Sequence, residues 1–194
     1  NGFKSFAEKA DFLIEDGLTG IVGPNGCGKS NIVESLRWAM GETSAKSMRG
    51  SGMEDVIFSG TSNKASKNIA EVTIEVENKD KEGPVQYRDH DQIQIKRKIE
   101  KDKGSKFYIN GKEVRARDAQ MFFADLSTGA HSPSMISQGR IGALVTAKPT
   151  DRRAILEEAA GISGLHVRRH EAELRLGAAE NNLKRADELR RQQE

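Results

Sequence analysis

Residues Gly23 to Ser30 read GPNGCGKS, a complete G-x-x-x-x-G-K-[ST] loop, and few folds accommodate such a stretch. Gly23, Gly26 and Gly28 permit a tight backbone turn whose successive N–H groups form a concave anion nest. Pro24, Asn25 and Cys27 fill the positions between them. In such a loop the Lys29 ammonium reaches the β- and γ-phosphates of a nucleotide, and the Ser30 hydroxyl ligates Mg²⁺. The flanks carry the context the motif demands. Leu18 to Val22 (LTGIV) is a short apolar run fit for a buried strand. Asn31 to Met40 places Ile32, Val33, Leu36, Ala39 and Met40 on one helical face, and Gly41 is a natural stop. The helix then aims the positive end of its dipole at the phosphates. The chain is therefore expected to bind a nucleoside triphosphate.

A chain of 194 residues has room for about one domain with a substantial core. Charged residues make up 31% and aromatics 5%, which predicts a modest core and much solvated helical surface. A net charge of +2 does not by itself argue for nucleic acid. The single cysteine, Cys27, excludes an internal disulfide and fits a reducing cytosol. Because it lies inside the phosphate loop, thiol modification there is expected to interfere with nucleotide binding. No apolar run reaches bilayer-spanning length and no signal peptide is visible, so no membrane role is expected. The chain starts at Asn1 and not at methionine, so a short preceding edge strand is expected.

The pattern changes three times along the chain. Ala10 to Ile14, Leu18 to Val22, Asp55 to Phe58 and Glu71 to Val76 are strand candidates. In the last, Val72, Ile74 and Val76 alternate with acidic and polar residues. Gln92 to Ile99 and Lys106 to Ile109 continue the β pattern, and Asn110-Gly111 is a two-residue hairpin turn. Successive hairpins predict an antiparallel layer attached to the nucleotide-binding sheet. Ala116, Ala119, Phe122, Phe123 and Leu126 recur at helical spacing, and a further helix opens at Pro149 and runs to Ala160. From Leu165, apolar residues at 165, 172, 176, 179, 183 and 186 alternate by three and four, the heptad pattern of a coiled coil, with Arg169 and Arg190 interrupting the seam. An amphipathic helix packed on the globular part is the other reading of this tail.

The site is incomplete in this sequence. ATP hydrolysis also needs a carboxylate for Mg²⁺ and a residue that activates water. The nearest hydrophobic run ending in Asp, Met121 to Asp125, has helical periodicity and no following Glu. No Leu-Ser-Gly-Gly signature occurs. Ser137-Gln138-Gly139 offers a Gln whose carbonyl oxygen is suited to Mg²⁺ or to the attacking water. Arg49, in the loop after the first helix, is either a solvated charge or a guanidinium supplied to phosphates.

In order along the chain stand Gly2-Phe3-Lys4-Ser5-Phe6, GPNGCGKSNI, Arg37-Trp38-Ala39-Met40-Gly41-Glu42, Met48-Arg49-Gly50, Met53 to Phe58, Ile136-Ser137-Gln138-Gly139, and Asp151-Arg152-Arg153 through Glu157-Glu158-Ala159-Ala160-Gly161. Together they resemble the N-terminal head lobe of bacterial SMC (structural maintenance of chromosomes) proteins over essentially the whole chain. The resemblance implies an α/β fold: an ABC-type P-loop NTPase half-head with an antiparallel β layer, followed by a long helix entering a coiled coil. It divides the chain into a head lobe, residues 1–163, and the start of the arm, residues 164–194. It implies that a C-terminal lobe of the same protein supplies the Walker B and signature motifs, and that two heads sandwich ATP and Mg²⁺ as a homodimer. It also implies a kleisin subunit at the neck, double-stranded DNA as partner, and a cytoplasmic, nucleoid-associated location. By position, Lys4, Ser5 and Gly23 through Asn31 approach the nucleotide. Ser30 and Gln138 complete the Mg²⁺ sphere, and Lys29, Gln138 and Arg49 (as arginine finger) act in turnover. Arg115 and Arg117 resemble basic residues on the DNA-facing surface.

Two departures stand out. Cys27 replaces a frequent Ser, which the loop tolerates because backbone N–H groups hold the phosphate. Gly52 replaces a Lys that some relatives turn toward DNA. The cluster Lys96, Arg97, Lys98, Lys101 and Lys103 reads either as further phosphate contacts or as a solvated face diluted by Glu100 and Asp102. Competing functions are a coiled-coil ABC-type ATPase of DNA double-strand-break repair, an ABC transporter subunit, and a non-catalytic nucleotide-gated tether. The Lys46 to Phe58 block and the Glu157 to Gly161 run favour the SMC branch, and the heptad tail argues against a transporter.

Overall fold

The computed structural model describes residues 1–194 except 80, 82, 127, 131, 133, 138–141, 143, 144, 161, 162 and 194. Its centre is a four-stranded antiparallel sheet in the order β1-β2-β3-β4, with β1 at Ile69–Glu77, β2 at Gln92–Glu100, β3 at Gly104–Ile109 and β4 at Lys112–Val114. The hairpin between β3 and β4 turns at Asn110 and Gly111, whose φ angles are 48° and 80°. That left-handed pair is what an Asn-Gly two-residue turn supplies, because its twist matches the strands it joins. The Asn110 side chain also accepts a hydrogen bond from the Gln94 N–H at 2.8 Å, which fixes the register against β2.

The inner face of β2 carries Ile93, Ile95, Arg97 and Ile99, all buried. Helix α1, Lys29–Ala39, and helix α2, Ala116–Asp125, lie against the sheet. Two apolar clusters result. One joins Phe3, Trp38, Met48, Val56, Ile57, Ala70 and Ile99, and the other joins Met40, Ile93, Ile95, Ile109, Phe122 and Phe123. Burying each large aliphatic or aromatic side chain of these clusters contributes roughly 1.5–3 kcal/mol before conformational entropy is subtracted. Phe122 and Phe123 thus anchor α2, and Met121 to Asp125 is helical as its periodicity predicts.

Asn1 exchanges backbone hydrogen bonds with Glu71 on the outer edge of β1, and Phe3 bridges to Ile57. Gly2 is required there: at φ 66° a Cβ would sit 2.1 Å from the Ile69 carbonyl oxygen. The N-terminal turn is in this way tied both to the sheet and to the segment leading out of α1.

Three strand expectations are corrected. Ala10 to Ile14 and Leu18 to Val22 form no strand, and Leu18 and Val22 remain 97% and 93% exposed. Among the described residues no strand lies alongside them to accept their backbone hydrogen bonds, and an unpaired extended segment has no ladder to hold it. Asp55 to Phe58 begins instead as a one-turn 3₁₀ helix, Met53–Val56. The Asp55 carboxylate accepts from the Ser51 N–H, the Ser51 hydroxyl and the Gly52 N–H at 2.6–2.9 Å, and this curls the chain before Ile57 extends.

The remaining helices are α3, Pro149–Ala159, and α4, Ser163–Gln193. Leu176 and Leu183 of the predicted heptad seam lie exposed on α4, together with Leu174, and α4 packs in part against α2. Among the described residues no helix is long and apolar enough to cross a membrane.

Candidate nucleotide site

The phosphate loop runs directly into α1. Gly26 and Gly28 adopt φ of 84° and 87°, a backbone region that L side chains rarely enter. Gly28 is the N-cap of α1 and brings no capping side chain; the Asn31 N–H bonds back to the Gly28 carbonyl at 2.9 Å, and those of Lys29 and Ser30 are the first-turn donors offered to an anion. A Cβ at Gly28 would also lie 2.8 Å from the Ser5 hydroxyl, so the close approach of the N-terminal turn needs glycine there as well. Lys29 folds back over the loop, its ammonium donating to the carbonyls of Gly23 at 2.6 Å and Pro24 at 2.5 Å. The Cys27 thiol is exposed and donates to the same Pro24 carbonyl at 2.9 Å. Ser30 is exposed at the start of α1.

A second set of residues gathers at the C-terminal end of this loop. Asn31 donates from Nδ2 to the Ser5 hydroxyl at 2.8 Å and accepts at Oδ1 from Arg49 Nη2 at 2.9 Å. Glu34, one turn further along α1, is buried. One of its oxygens meets Lys4 Nζ at 2.5 Å and the other meets Arg49 Nε at 2.5 Å. Lys4 also donates to the Met48 carbonyl. Lys4, Ser5, Asn31 and Arg49, far apart in sequence, thus meet at one rim. The loop behind Arg49 is braced by Asp55, whose carboxyl is held below the usual carboxylate range, first by the Gly52 N–H and then by the Ser51 hydroxyl and N–H. A depressed pKa means that this brace is in force above ordinary carboxyl titration, near pH 3.9, and is lost as pH falls through the folded value.

The far end of α1 is fixed by a buried cation. Arg97 projects inward from β2 and donates from Nη1 to the carbonyls of Trp38 and Glu42, each at 2.7 Å, and from Nε to the Ser105 hydroxyl at 2.8 Å. Its guanidinium lies between the rings of Trp38 and Phe107, 4.5 and 4.6 Å from their centroids. Desolvation lowers its pKa to about 10, opposed by Glu42, so it stays charged at neutral pH. This overturns the solvent-facing reading of the basic cluster for Arg97, because strand alternation turns it into the core. Its neighbour Lys96 pairs with Glu71 at 3.5 Å and Lys103 with Glu100 at 2.7 Å.

Sequence pattern alone does not single out Glu34 or Arg97 as supports of the site. Their signals are a carboxylate spaced three residues after Asn31 on the same helix face, and the third of the four inward positions of β2, the other three being Ile. Arg115 and Arg117 lie exposed at the start of α2. Arg115 borders a groove of about 610 Å³ that Lys106, Lys112, Glu113 and Asp118 also line. Gln138 lies outside the described residues. Among those described, no cluster of three or more acidic, His or Cys side chains is arranged to hold a metal.

Comparison with known proteins follows the same outline. Residues 1–140 match the model of the RecF/RecN/SMC N terminal domain. Chromosome partition protein Smc of Rhodopseudomonas palustris is 58% identical over 97% of this chain, and that of Myxococcus xanthus is 44% identical over 97%. The chain spans 16% of the length of these curated relatives. An SMC structure from a study of ATP-driven dimerization and DNA-stimulated activation of SMC ATPases superposes with a TM-score of 0.70 at 31% identity, covering 81% of this chain and 94% of that one. The Smc head domain with an extended coiled coil from Pyrococcus furiosus, bound to the C-terminal domain of ScpA, has a TM-score of 0.74 at 32% identity, covering 97% of this chain and 47% of that one. The fold is therefore that of an SMC head, an ABC-type ATPase architecture, and the chain belongs to the RecF/RecN/SMC N-terminal domain family.

Proposed function

We propose that this chain is the ATP-binding half of a head that works in chromosome partition, with residues 1–163 as the head lobe and residues 164–194 as the start of the arm. The observation that carries the reading is the uncapped N-terminus of α1 behind a left-handed glycine, with Lys29 folded over the loop. That combination suits a triphosphate: backbone N–H groups from Gly23 to Ser30 hold its oxygens, and Lys29 exchanges its carbonyl contacts for the β- and γ-phosphates. Lys4, Ser5, Asn31 and Arg49 line the rim, Arg49 giving its guanidinium to developing phosphate charge. Ser30 ligates Mg²⁺ on this reading, and Gln138 completes its sphere. Bound ATP with Mg²⁺ supplies the phosphoryl bond that water cleaves.

The carboxylate and the signature segment needed for turnover come, on this reading, from the C-terminal lobe of the same protein and from a second head in a homodimer. The exposed apolar residues between Phe12 and Val22 are the surface that lobe covers. The arm helix carries a kleisin at the neck, as the ScpA-bound relative suggests. ATP-dependent engagement of two heads then entraps double-stranded DNA on the chromosome, in the cytoplasm. Arg115 and Arg117 are the DNA contacts. Replacing both by Ala lowers DNA affinity and flattens its salt dependence. An unchanged salt slope assigns them to the solvated surface.

The decisive test is ATP binding and turnover by this chain, alone and mixed with the C-terminal lobe. Binding that Lys29→Ala abolishes, with turnover only in the mixture, is the expected result. Undiminished ATP affinity in Lys29→Ala overturns the phosphate-loop assignment, and turnover by the chain alone overturns the divided site.

A further inference from the structure

We infer that Glu34 is a positioning residue that presents Arg49 to the nucleotide phosphates, an inference that rests on the nucleotide-binding reading above. Glu34 is buried among groups of opposite charge, and both of its oxygens are engaged by cations, Lys4 on one side and Arg49 on the other. A carboxylate so neutralised is not available as a metal ligand or general base. Its chemistry is instead that of an anchor.

Three features point to anchoring of Arg49 in particular. First, both cations come from strained backbone. Lys4 has φ 45° and Arg49 φ 54°, a region that side-chain-bearing residues rarely enter and that persists where surrounding contacts impose it. The shared carboxylate is the contact both residues converge on. Second, the guanidinium is only partly consumed. Nε is held by Glu34 and Nη2 by Asn31, while among the described residues none engages Nη1, and the side chain stays 58% exposed. Third, Lys4 and Arg49 share the one carboxylate of Glu34, and of the two cations Arg49 is the one left exposed to an arriving polyphosphate.

An unanchored arginine side chain loses rotamer freedom when it closes on a ligand, and fixing it beforehand removes that cost. Glu34 lies on α1, the helix the phosphate loop opens, so it also ties the position of Arg49 to the position of the loop. Neutral Gln at position 34 keeps one acceptor oxygen but turns an amide N–H toward the other cation. One of the two cations is then released.

The test is the dissociation constant of MgATP, measured by calorimetry on the full-length protein. Glu34→Gln is expected to weaken binding roughly tenfold, the scale of one charge-assisted hydrogen bond. Arg49→Ala is expected to weaken it similarly, and the double variant to be no weaker than either single one. A loss caused by general damage to α1 would instead add to that of Arg49→Ala, and additivity overturns the inference. Unchanged affinity in Glu34→Gln also overturns it, provided Lys29→Ala abolishes binding. Intact binding in Lys29→Ala would sink the nucleotide site itself. Should Glu34→Gln not fold, Arg49→Lys serves: it keeps the charge but cannot span Glu34 and Asn31 together. It is expected to lose most of what Arg49→Ala loses, and full affinity in Arg49→Lys overturns the inference.

Discussion

Two stretches of this chain look alike in sequence and end differently. Strand β2 and the segment from Ala10 to Val22 are both short and rich in Ile, Leu or Val. In β2, Ile93, Ile95 and Ile99 lie fully buried beneath two helices, with β1 and β3 pairing along both edges. In the earlier segment, Leu13, Leu18 and Val22 face outward, and among the described residues no strand pairs with it. A β-strand is half of an interaction. Apolar composition makes a segment willing to pair, but only a neighbour at the right spacing satisfies its backbone groups. β1 and β2 are joined in sequence and find one another. The segment before the phosphate loop depends on something further away.

Variants that probe this contrast fall in a clear order. The largest effect is expected for Ile95→Ala, which empties a fully buried site in the second cluster. It should cost about 2–5 kcal/mol, read as a fall in the urea midpoint of this chain. A loss below about 1 kcal/mol would mean that the sheet face is not a packed core. Next comes Arg97→Met, which fits the slot between Trp38 and Phe107 but removes the guanidinium donor from the Glu42 carbonyl and from the Trp38 carbonyl, which keeps only the Gly41 N–H at 3.1 Å. Losing these buried charge-assisted hydrogen bonds predicts a loss of about 1–3 kcal/mol. Equal or greater stability in Arg97→Met would show that desolvating the guanidinium costs more than its contacts return.

The smallest effect is expected for Leu18→Ala, within about 0.5 kcal/mol in this chain, because an exposed side chain has little packing to lose. The same substitution sharpens the contrast when repeated with the C-terminal lobe present. A destabilisation of about 1 kcal/mol or more, appearing only in the mixture, is expected if that lobe covers the segment. Equal effects in both settings would leave the apolar face without that partner.

Much of the architecture was legible along the chain because it depends on local rules. The glycine spacing from Gly23 to Gly28, the Asn110-Gly111 turn, the alternation through Gln92 to Ile99 and the helical spacing through Phe122 and Phe123 each specify backbone geometry within a few residues. The phosphate loop with its helix follows from the same rules, as does the antiparallel layer. Asp55 misled by composition: a run reading as Asp-Val-Ile-Phe suggests extension, yet its carboxylate satisfies three donors upstream and curls the chain.

What only the tertiary structure decided are the charges. Lys96, Arg97 and Lys98 are adjacent basic residues, and strand alternation says only that the middle one points inward, not what receives it. Arg97 enters the core because α1 ends above that strand and presents two carbonyls within 2.7 Å, while two aromatic rings flank the guanidinium. Glu34 becomes an anchor because Lys4 and Arg49, 30 positions before it and 15 after it by their numbering, are brought to its two oxygens. A hydrophobic period records which way a residue points. The fate of a buried charge depends on which partners arrive from elsewhere in the chain, since burial without them is too costly to persist. The sequence by itself determined the loop, the hairpins and the helices, and folding determined which cations became part of the scaffold and which stand at the rim of the site.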